Sequence, residues 1–373
     1  NNCHFPPTAQ NKVSLLKDGK TTFDAIFTAL ESATMFIHLQ YYIYEEGELA
    51  NRLLELFRRK IAAGVRIRLI YDGIGSYSLS RACIRQLKEM GVQVYPFLPF
   101  RFGRFLTGLN YRNHRKIIVV DGKIGFTGGI NISDKYLKGD EELGMWHDMH
   151  LRMEGPCVAY LDYVFATDWF MVSEGQLEES LKPVTVATQS NPSIVQVVYS
   201  GPDDVFANIE QLYFSMISRA NRYIYITNPY IIPSQEILKA LQVAALGGVD
   251  VRLMISMKSD SQLVRWSVQS YFEPLLKAGV RIFLFPTGFL HSKIMVSDDD
   301  IASVGTASID VRSFEHNYEV NALVYEQEFA QKLKADFIND CRICSELRYE
   351  EHLERSWWSR LMEGVARVFT PLL

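Results

Sequence analysis

The sequence contains two copies of one short pattern, in which a lysine follows a histidine by two residues and an aspartate follows it by seven. The residues are His114, Lys116 and Asp121 in the first copy and His291, Lys293 and Asp298 in the second. The intervening IIVV and IMVS predict strands, whose alternation places each histidine and lysine on one face. An imidazole beside an ammonium can exchange a proton and hold an anion. Because this pair of side chains occurs twice in the sequence, it indicates a functional site rather than a chance pair on the surface.

The two copies belong to a longer internal repeat. Equivalent apolar segments surround Tyr42 and Tyr230, and the pair Val92 and Val280 is separated by the same offset along the chain. The offset is shorter at the two histidines, so the first half carries about eleven extra residues just before His114. Because the reactive residues repeat together with the scaffold, the repeat is more than a duplicated core.

Each half reads as strand, helix, strand, helix, strand, with Gly-Val steps after the helices, which is typical of parallel βαβ units. The sequence therefore predicts an α/β protein with two similar halves, each a mixed, largely parallel sheet flanked by helices. The predicted divisions are a first half at 1–182, a linker at 183–194, a second half at 195–345 and a C-terminal amphipathic segment at 346–373. The linker is placed by its Pro, Ser, Thr and Asn content.

Composition limits the classes of function. Of the 373 residues, 48% are hydrophobic and 22% are charged, which excludes collagen-like and disordered chains. The net charge of −4 argues against a polycation that holds nucleic acid in bulk, so any phosphate binding must be local. Five cysteines do not form a disulfide framework, and the single CxxC at Cys341 and Cys344 lacks a second pair to complete a metal site.

Residues with small or amide side chains follow each copy of the pattern, beginning seven residues after the aspartate. Glycine lets backbone N–H groups approach an anion closely, and an amide or hydroxyl side chain can donate to the same oxygens. The candidate anion-binding residues are Gly128, Gly129 and Asn131 in the first half and Gly305 and Ser308 in the second.

Two carboxylates follow the histidines of their own halves within alternating, strand-like sequence. Asp148 comes after His114 in the first half, and Glu319 comes after His291 at a similar distance along the second. A carboxylate that accepts from Nδ1 of an imidazole fixes the tautomer and leaves Nε2 free to react. The alternative is that both are ordinary surface acids.

The paired patterns, with their trailing glycine and Asn or Ser, resemble those of the phospholipase D superfamily. The segments NYRNHRKIIVVDGKIGFTGGIN, FLHSKIMVSD and SVGTASIDVRSFEHNYEVNA are similar to those of its bacterial cardiolipin synthases, and the similarity extends from about Asn11 to Leu373. Ser308 stands where the superfamily usually has Asn. The resemblance implies an active site at the pseudo-twofold interface of the halves, where one histidine becomes a phosphohistidine and the other protonates the leaving alcohol.

The resemblance implies a phosphatidyltransferase that joins two phosphatidylglycerol molecules into cardiolipin and releases glycerol. Neither a metal nor another cofactor is expected, since Lys116, Lys293, Asn131 and Ser308 supply the cations and donors that an anionic diester needs. By the same resemblance His114 is expected to be the nucleophile. We expect Asp121 and Asp298 to have structural roles, since they lie too far along their strands to reach the reacting face.

Two segments carry aromatic residues beside arginines, as lipid-facing surfaces do. The extra residues before His114 predict a lipid access rim of Phe100, Arg101, Phe102, Arg104 and Phe105, although these phenylalanines could instead fold into the core. The terminal RSWWSRLMEGVARVFTPLL predicts an amphipathic helix, and the sequence leaves open whether it packs on the protein or lies on a membrane.

The partners expected are therefore a phospholipid and a membrane surface, and not nucleic acid. No stretch of the sequence is long and apolar enough to span a bilayer, so we expect any spanning segments to lie upstream of residue 1, with the catalytic part on the cytoplasmic side of the cell membrane. The alternatives are a phospholipase D-type hydrolase, a phosphatidylserine synthase-like transferase, a nuclease, or an inactive lipid-binding module. A nuclease is disfavoured by the acidic net charge.

Overall fold

The computed structural model describes residues 5–97, 111–175, 177, 192–259 and 261–369. The strands of the first half are β1 (Thr8–Leu16), β2 (Phe36–Tyr41), β3 (Arg66–Asp72), β4 (Gln93–Phe97), β5 (Arg112–Asn113), β6 (Ile117–Val120), β7 (Ile124–Gly128), β8 (Trp146–His147) and β9 (His150–Glu154). Its helices are α1 (Gly19–Glu31), α2 (Glu48–Ala62), α3 (Arg81–Glu89), α4 (Lys135–Lys138) and α5 (Cys157–Ser173).

The second half repeats this order and adds helices at its end. Its strands are β10 (Ser193–Ser200), β11 (Tyr223–Thr227), β12 (Ile231–Ile232), β13 (Asp250–Ser256), β14 (Arg281–Phe285), β15 (Phe289–Leu290), β16 (Ile294–Ser297), β17 (Ile301–Gly305), β18 (Ile309–Asp310), β19 (Asn317–Tyr325) and β20 (Ser345–Leu347). Its helices are α6 (Asn208–Arg219), α7 (Gln235–Leu246), α8 (Gln262–Gln269), α9 (Phe272–Lys277), α10 (Val311–Glu315), α11 (Gln327–Cys341), α12 (Tyr349–Leu353) and α13 (Trp357–Phe369).

The halves share one continuous sheet, in the order β20-β14-β13-β11-β16-β17-β19-β10-β1-β9-β7-β6-β2-β3-β4, with β5 attached to β19. They meet where β10 and β1 pair in antiparallel fashion. The predicted α/β class with two similar halves is confirmed. The sheets expected in the two halves form one mixed sheet, in which β2, β3 and β4, and likewise β11, β13 and β14, form the parallel runs, and the other pairs apart from the short β5–β19 pair are antiparallel.

The connections between strands explain the mixture of parallel and antiparallel pairs. Helices long enough to cross over join the parallel strands, whereas β6 and β7, like β16 and β17, are joined by tight turns that force antiparallel pairing. The domain divisions remain a prediction, since residues 178–191 lie outside the described chain and β10 already begins at Ser193, inside the predicted linker.

Helices cover both faces of the sheet. On one face, α1 and α2 close the core of the first half and α6 and α7 close that of the second. On the other face, α5 and α11 bury a core that runs through both halves, with Phe165 from the first and Phe337 from the second. This shared core fixes the relative position of the two halves and of the residues between them.

The aspartate of each repeated pattern lies at the tip of a hairpin rather than in a strand. Asp121 has a left-handed φ of 52°, which Asp tolerates better than most residues. Its carboxylate accepts hydrogen bonds from the backbone N–H groups of Thr34, Met35 and Phe36, each at 2.8 Å, and from the Thr34 hydroxyl. Asp121 therefore anchors the start of β2 against the β6–β7 hairpin.

Asp298 makes the equivalent contacts in the second half. Its φ is 54°, and its carboxylate accepts from the N–H groups of Asn221, Arg222 and Tyr223 at 2.7–2.9 Å. Burial alone would raise the pKa of each aspartate, but the backbone donors lower it below the ordinary value. Both carboxylates therefore stabilise the fold in their ionised form.

We expect Asp121→Ala to lower the free energy of unfolding by about 2–4 kcal/mol, because it orphans several N–H groups and puts alanine at a positive φ. Asp121→Asn, which keeps one acceptor oxygen and tolerates that φ, should lose less. Because the folded-state pKa is lowered, this stabilisation is present above the unfolded pKa of about 4 and disappears as pH falls through the folded value. Urea titrations at neutral and acidic pH measure both effects. An Asp121→Ala variant as stable as wild type would contradict the anchoring role.

Candidate active site

The two histidines face one cavity of about 300 Å³ between the halves. Parallel strands β2 and β11 end at this cavity, and the residues that follow them, Tyr42 and Tyr230, lie in its wall. From the predicted set, the cavity is lined by His114, Lys116, Asn131, His291 and Ser308. The structure thus brings both repeated patterns to a single place, as the pseudo-twofold arrangement requires.

Each histidine lies beside a carboxylate from the opposite half. The Nδ1 atom of His291 lies 2.7 Å from Oδ2 of Asp148, and Nδ1 of His114 lies 3.2 Å from Oε1 of Glu319. Each carboxylate therefore contacts the histidine of the other half and not the one that it follows along the chain. The carboxylates are buried, and their arrangement leaves each Nε2 as the nitrogen available for reaction.

Short strand pairs between the halves explain the crossed arrangement. In the first pair β5 lies parallel to β19, and the backbone N–H of His114 donates to the carbonyl of Tyr318 at 2.9 Å. In the second pair β15 lies parallel to β8, and the N–H of His291 donates to the carbonyl of His147 at 2.8 Å. Each histidine is thereby held next to the carboxylate that comes directly after its bonding partner on the other half.

Both lysines of the repeated pattern are buried. Nζ of Lys116 donates to the His114 carbonyl at 2.7 Å, and Nζ of Lys293 donates to the His291 carbonyl. Burial, together with the charge of Lys293, lowers the pKa of Lys116 to about 7, and burial also lowers that of Lys293. The two ammonium groups are thus held where an anion can stabilise them.

The same environment keeps the histidines neutral. Burial and the charge of Lys116 lower the pKa of His114 to about 4, and burial together with the charges of Lys293 and Lys116 holds that of His291 well below its ordinary value. Burial raises the pKa of Asp148 to about 6, against the opposing charge of Lys293. A neutral imidazole can attack an electrophile, and an anion entering the cavity favours uptake of a proton by its partner.

The predicted anion-binding residues divide into two groups. Asn131 lies in the cavity wall, with its Oδ1 held by the N–H of Ile43 at 3.1 Å and its Nδ2 3.3 Å from the Tyr136 hydroxyl. Ser308 lines the cavity from the other half. These two remain candidates for donating to a bound anion.

Neither Lys293 nor the three glycines are among the residues that line the cavity in the described part of the chain, so their roles toward an anion stay predictions. A Cβ atom on Gly129 would lie 2.2 Å from Oδ1 of Asp148, and one on Gly305 would lie 2.1 Å from Oδ1 of Asn321. A Cβ on Gly128 would approach His150 within 2.7 Å. The small size of the glycines makes room for neighbouring buried side chains, Asp148 among them.

Several cavity residues were missed by the sequence reasoning. They are Tyr42, Arg112, Trp146, Tyr230, Phe289, Asp310, Arg312 and Asn317. The repeat already paired Tyr42 with Tyr230, which was the available signal. The predicted lipid access rim of Phe100, Arg101, Phe102, Arg104 and Phe105 lies outside the described residues.

No group of three or more His, Cys, Asp or Glu side chains that could hold a metal ion occurs in the part of the chain that the structure describes. The same residues include no helix that is long and apolar enough to cross a membrane.

Comparisons with known proteins agree with this geometry. Residues 26–169 and 213–341 match the family described as cardiolipin synthase, phospholipase D-like domain. The chain is 42% identical over 370 residues to the cardiolipin synthase of Geobacillus thermodenitrificans, covering 99% of this chain and 74% of that protein. It is 39% identical over 379 residues to a major cardiolipin synthase of Bacillus subtilis, covering 100% of this chain and 77% of that protein.

Solved structures share the fold. Phosphatidylserine synthase of Haemophilus influenzae superposes with a TM-score of 0.74 at 13% identity, covering 99% of this chain and 95% of that one. Polyphosphate kinase of Porphyromonas gingivalis gives a TM-score of 0.63 at 11% identity, covering 96% of this chain and 53% of that one. At these identities the likeness concerns the fold alone.

The buried charges predict a characteristic pH dependence on a soluble short-chain phosphodiester. We expect kcat/KM to fall above about pH 7, because Lys116 loses its proton there in the empty cavity, and to fall below about pH 6, as Asp148 gains one. A bound anion raises the pKa of Lys116, so the alkaline limb of kcat should lie at higher pH than that of kcat/KM. Initial rates measured across the pH range give the pH profiles of kcat/KM and of kcat. Coincident alkaline limbs, or a kcat/KM that is flat above pH 7, would contradict the interpretation.

Proposed function

The chain belongs to the cardiolipin synthase family of the phospholipase D superfamily, and from this we propose that it transfers a phosphatidyl group from one phosphatidylglycerol to another, forming cardiolipin and releasing glycerol. The observation that carries the proposal is the pair of crossed histidine–carboxylate contacts facing one cavity with two buried lysines. The relatives that match nearly the whole chain are named for the same synthesis.

In the first step, Nε2 of His114 attacks the phosphorus atom of the donor. A P–N bond forms, the P–O bond to the headgroup glycerol breaks, and His291 delivers a proton to the departing oxygen. Lys116 and Lys293 stabilise the charge on the nonbridging oxygens, and Asn131 and Ser308 can donate to them. The assignment of His114 as nucleophile rests on the superfamily resemblance.

In the second step, a primary hydroxyl of another phosphatidylglycerol attacks the phosphohistidine. An O–P bond forms, the P–N bond breaks, and His291 takes the hydroxyl proton and so returns to its protonated state. Glu319 and Asp148 stabilise whichever imidazole carries positive charge at each stage. Atoms, protons and charge balance over the two steps, with cardiolipin and glycerol as the only products.

We further propose that α13 lies on the membrane surface. Its inner side is fixed to the protein, since buried Glu363 contacts Arg355 at 3.1 Å and Arg355 contacts Glu273 at 2.8 Å. Its outer side exposes Trp357, Trp358, Leu361, Val365 and Val368.

The position of α13 and its charges suit an anionic bilayer. The helix packs on α8, and α8 supplies Val264 to the wall of the catalytic cavity. A single helix, α8, therefore lies between α13 and the cavity that a bilayer lipid must reach. Arg360 and Arg367 are exposed on the same helix and can attract anionic headgroups.

The proposed reaction is tested by incubating the purified protein with vesicles of phosphatidylglycerol alone and identifying the products by mass. We expect cardiolipin and glycerol in equal amounts from wild type. His114→Ala and His291→Ala should each lose at least about 99% of the rate, because each removes a group that the chemistry requires.

The matched control is His147→Ala, whose ring lies in a different cavity and packs on Phe285, so it should retain most of the activity. Phosphatidic acid as the main wild-type product would instead indicate a hydrolase. Appreciable turnover by either catalytic histidine variant would rule out the two-histidine mechanism.

The membrane role of α13 is tested with the double variant Trp357→Ser/Trp358→Ser. We expect its affinity for phosphatidylglycerol vesicles to fall by about one to two orders of magnitude, because an interfacial aromatic side chain contributes on the order of 1 kcal/mol or more. Turnover of a soluble short-chain diester should be unchanged. Sedimentation with vesicles measures the binding.

Val243→Ser/Leu246→Ser is the matched control for this test. These side chains are as exposed as the tryptophans, but they lie at the carboxyl end of α7, which leads into the start of β13. Because β13 runs parallel to β11, which ends at the cavity, the start of β13 is the end of the strand away from the cavity. The control should bind vesicles normally. Equal losses in both double variants would argue against α13 as the docking surface.

A further inference from the structure

The walls beside the two histidines occupy equivalent positions but differ in chemistry. Arg112 and Phe289 each lie two residues before a histidine of the repeated pattern. Arg112 is the register partner of Asn317 in the β5–β19 pair, and Phe289 is the partner of Trp146 in the β15–β8 pair. The His114 side therefore presents a guanidinium and an amide where the His291 side presents two aromatic rings.

A second guanidinium adds to the polar wall. Arg312, on α10, lines the same cavity as Arg112. Burial lowers the pKa of Arg112, and the nearby charge of Arg312 lowers it further. The charge of Asp72 acts in the opposite direction and raises it. Asp72 accepts from the N–H groups of Ile74, Gly75 and Asn113 as well as facing Arg112, so its charge is shared among several donors.

Asp310 is the other carboxylate at this wall. It caps α10 by accepting from the N–H and hydroxyl of Ser313 at 2.7 and 3.0 Å. Burial raises the pKa of Asp310, with the charge of Glu319 acting in the same direction and that of Arg312 opposing it. An anion bound at this wall would therefore lie near two guanidinium groups, in addition to the lysines of the repeated pattern.

Asn317 supplies an unsatisfied acceptor in the same wall. Its Nδ2 donates to Oε1 of Glu319 at 3.2 Å, and because a carboxylate only accepts, this contact fixes the orientation of the amide. The Oδ1 atom is buried and has no hydrogen-bond partner within the described chain. A buried acceptor of this kind calls for a donor from a ligand, such as a hydroxyl group.

We propose that this polar wall binds the headgroup of the acceptor lipid, with the acceptor's phosphate between Arg112 and Arg312 and the unreacting hydroxyl of its glycerol donating to Asn317. The inference rests on the proposed function. Phosphatidylglycerol supplies both groups, since its headgroup glycerol has one hydroxyl to attack the phosphohistidine and another that stays free.

The charge of the reaction explains why a second phosphate site is needed. The phosphohistidine and the acceptor each carry a phosphate, and cardiolipin holds the two phosphates on one glycerol. Two anions close together in a partly desolvated cavity repel strongly unless each has its own cations. Lys116, which lines the cavity, and Lys293, whose charge acts on both histidines, are assigned to the reacting phosphate, which leaves the two arginines for the other.

The experiment compares two acceptors with the same donor, phosphatidylglycerol in mixed micelles. Cardiolipin formation uses the anionic acceptor, and incorporation of deuterated glycerol into phosphatidylglycerol uses a neutral one. For Arg312→Gln we expect at least a tenfold loss of cardiolipin formation and less than a twofold loss of glycerol exchange. Arg112→Gln should show the same selective loss. Arg112→Lys, which keeps the positive charge, should retain part of the cardiolipin formation that Arg112→Gln loses.

Lys135→Gln is the matched control, because Lys135 is the counterpart of Arg312 in the first half but contacts Glu45 at 3.7 Å and does not line the cavity. It should leave the ratio of the two activities unchanged. A parallel loss of both activities in Arg312→Gln would place the arginine at the donor and overturn the proposal, as would no loss of either. Glycerol exchange without cardiolipin in wild type would overturn the proposed function itself.

Discussion

The burial of four side chains that can carry positive charge, close together between the halves, is the constraint on which the rest of the structure depends. Burial lowers the pKa values of two lysines and two histidines there, and the charge of Lys293 lowers those of Lys116, His114 and His291 further, whereas nearby carboxylates raise that of Lys293. Such a cluster is unfavourable unless two conditions are met: buried carboxylates must contact it, and an anion must bind in the cavity. Asp148 and Glu319 provide the first condition, and a phosphodiester provides the second.

The crossed contacts make the catalytic centre a property of the whole sheet. Neither half holds a histidine and its carboxylate together, so the site exists only while β10 and β1 keep the halves in register. Arg115, next to His114, strengthens this junction. Its guanidinium contacts Asp168 of the first half at 2.5 Å and the carbonyls of Ser200 and Glu319 in the second half at 3.2 Å. A buried network of this kind leaves little freedom for the halves to shift.

The sequence was sufficient for the parts of the protein that depend on local pattern. The repeated His and Lys, the α/β class and the family follow from spacing, periodicity and motif, because these are recorded along the chain. The partner of each histidine could not be predicted in the same way. Asp148 and His291 are brought together by a two-residue strand pair, which has no periodicity to detect. The role of Gly129 was equally hidden, since it depends on the space that the carboxylate of Asp148 occupies.

The repeat also explains how a symmetric centre can catalyse an asymmetric reaction. The reacting histidines and lysines are equivalent by the pseudo-twofold, so they alone cannot distinguish a leaving alcohol from an attacking one. The surrounding positions have diverged: Trp146 and Phe289, whose rings are centred 5.3 and 5.8 Å from that of His291, stand where the His114 side has Asn317 and Arg112. Because the symmetric residues are constrained by the chemistry of the phosphate, selectivity between alcohols has to arise in these unequal walls.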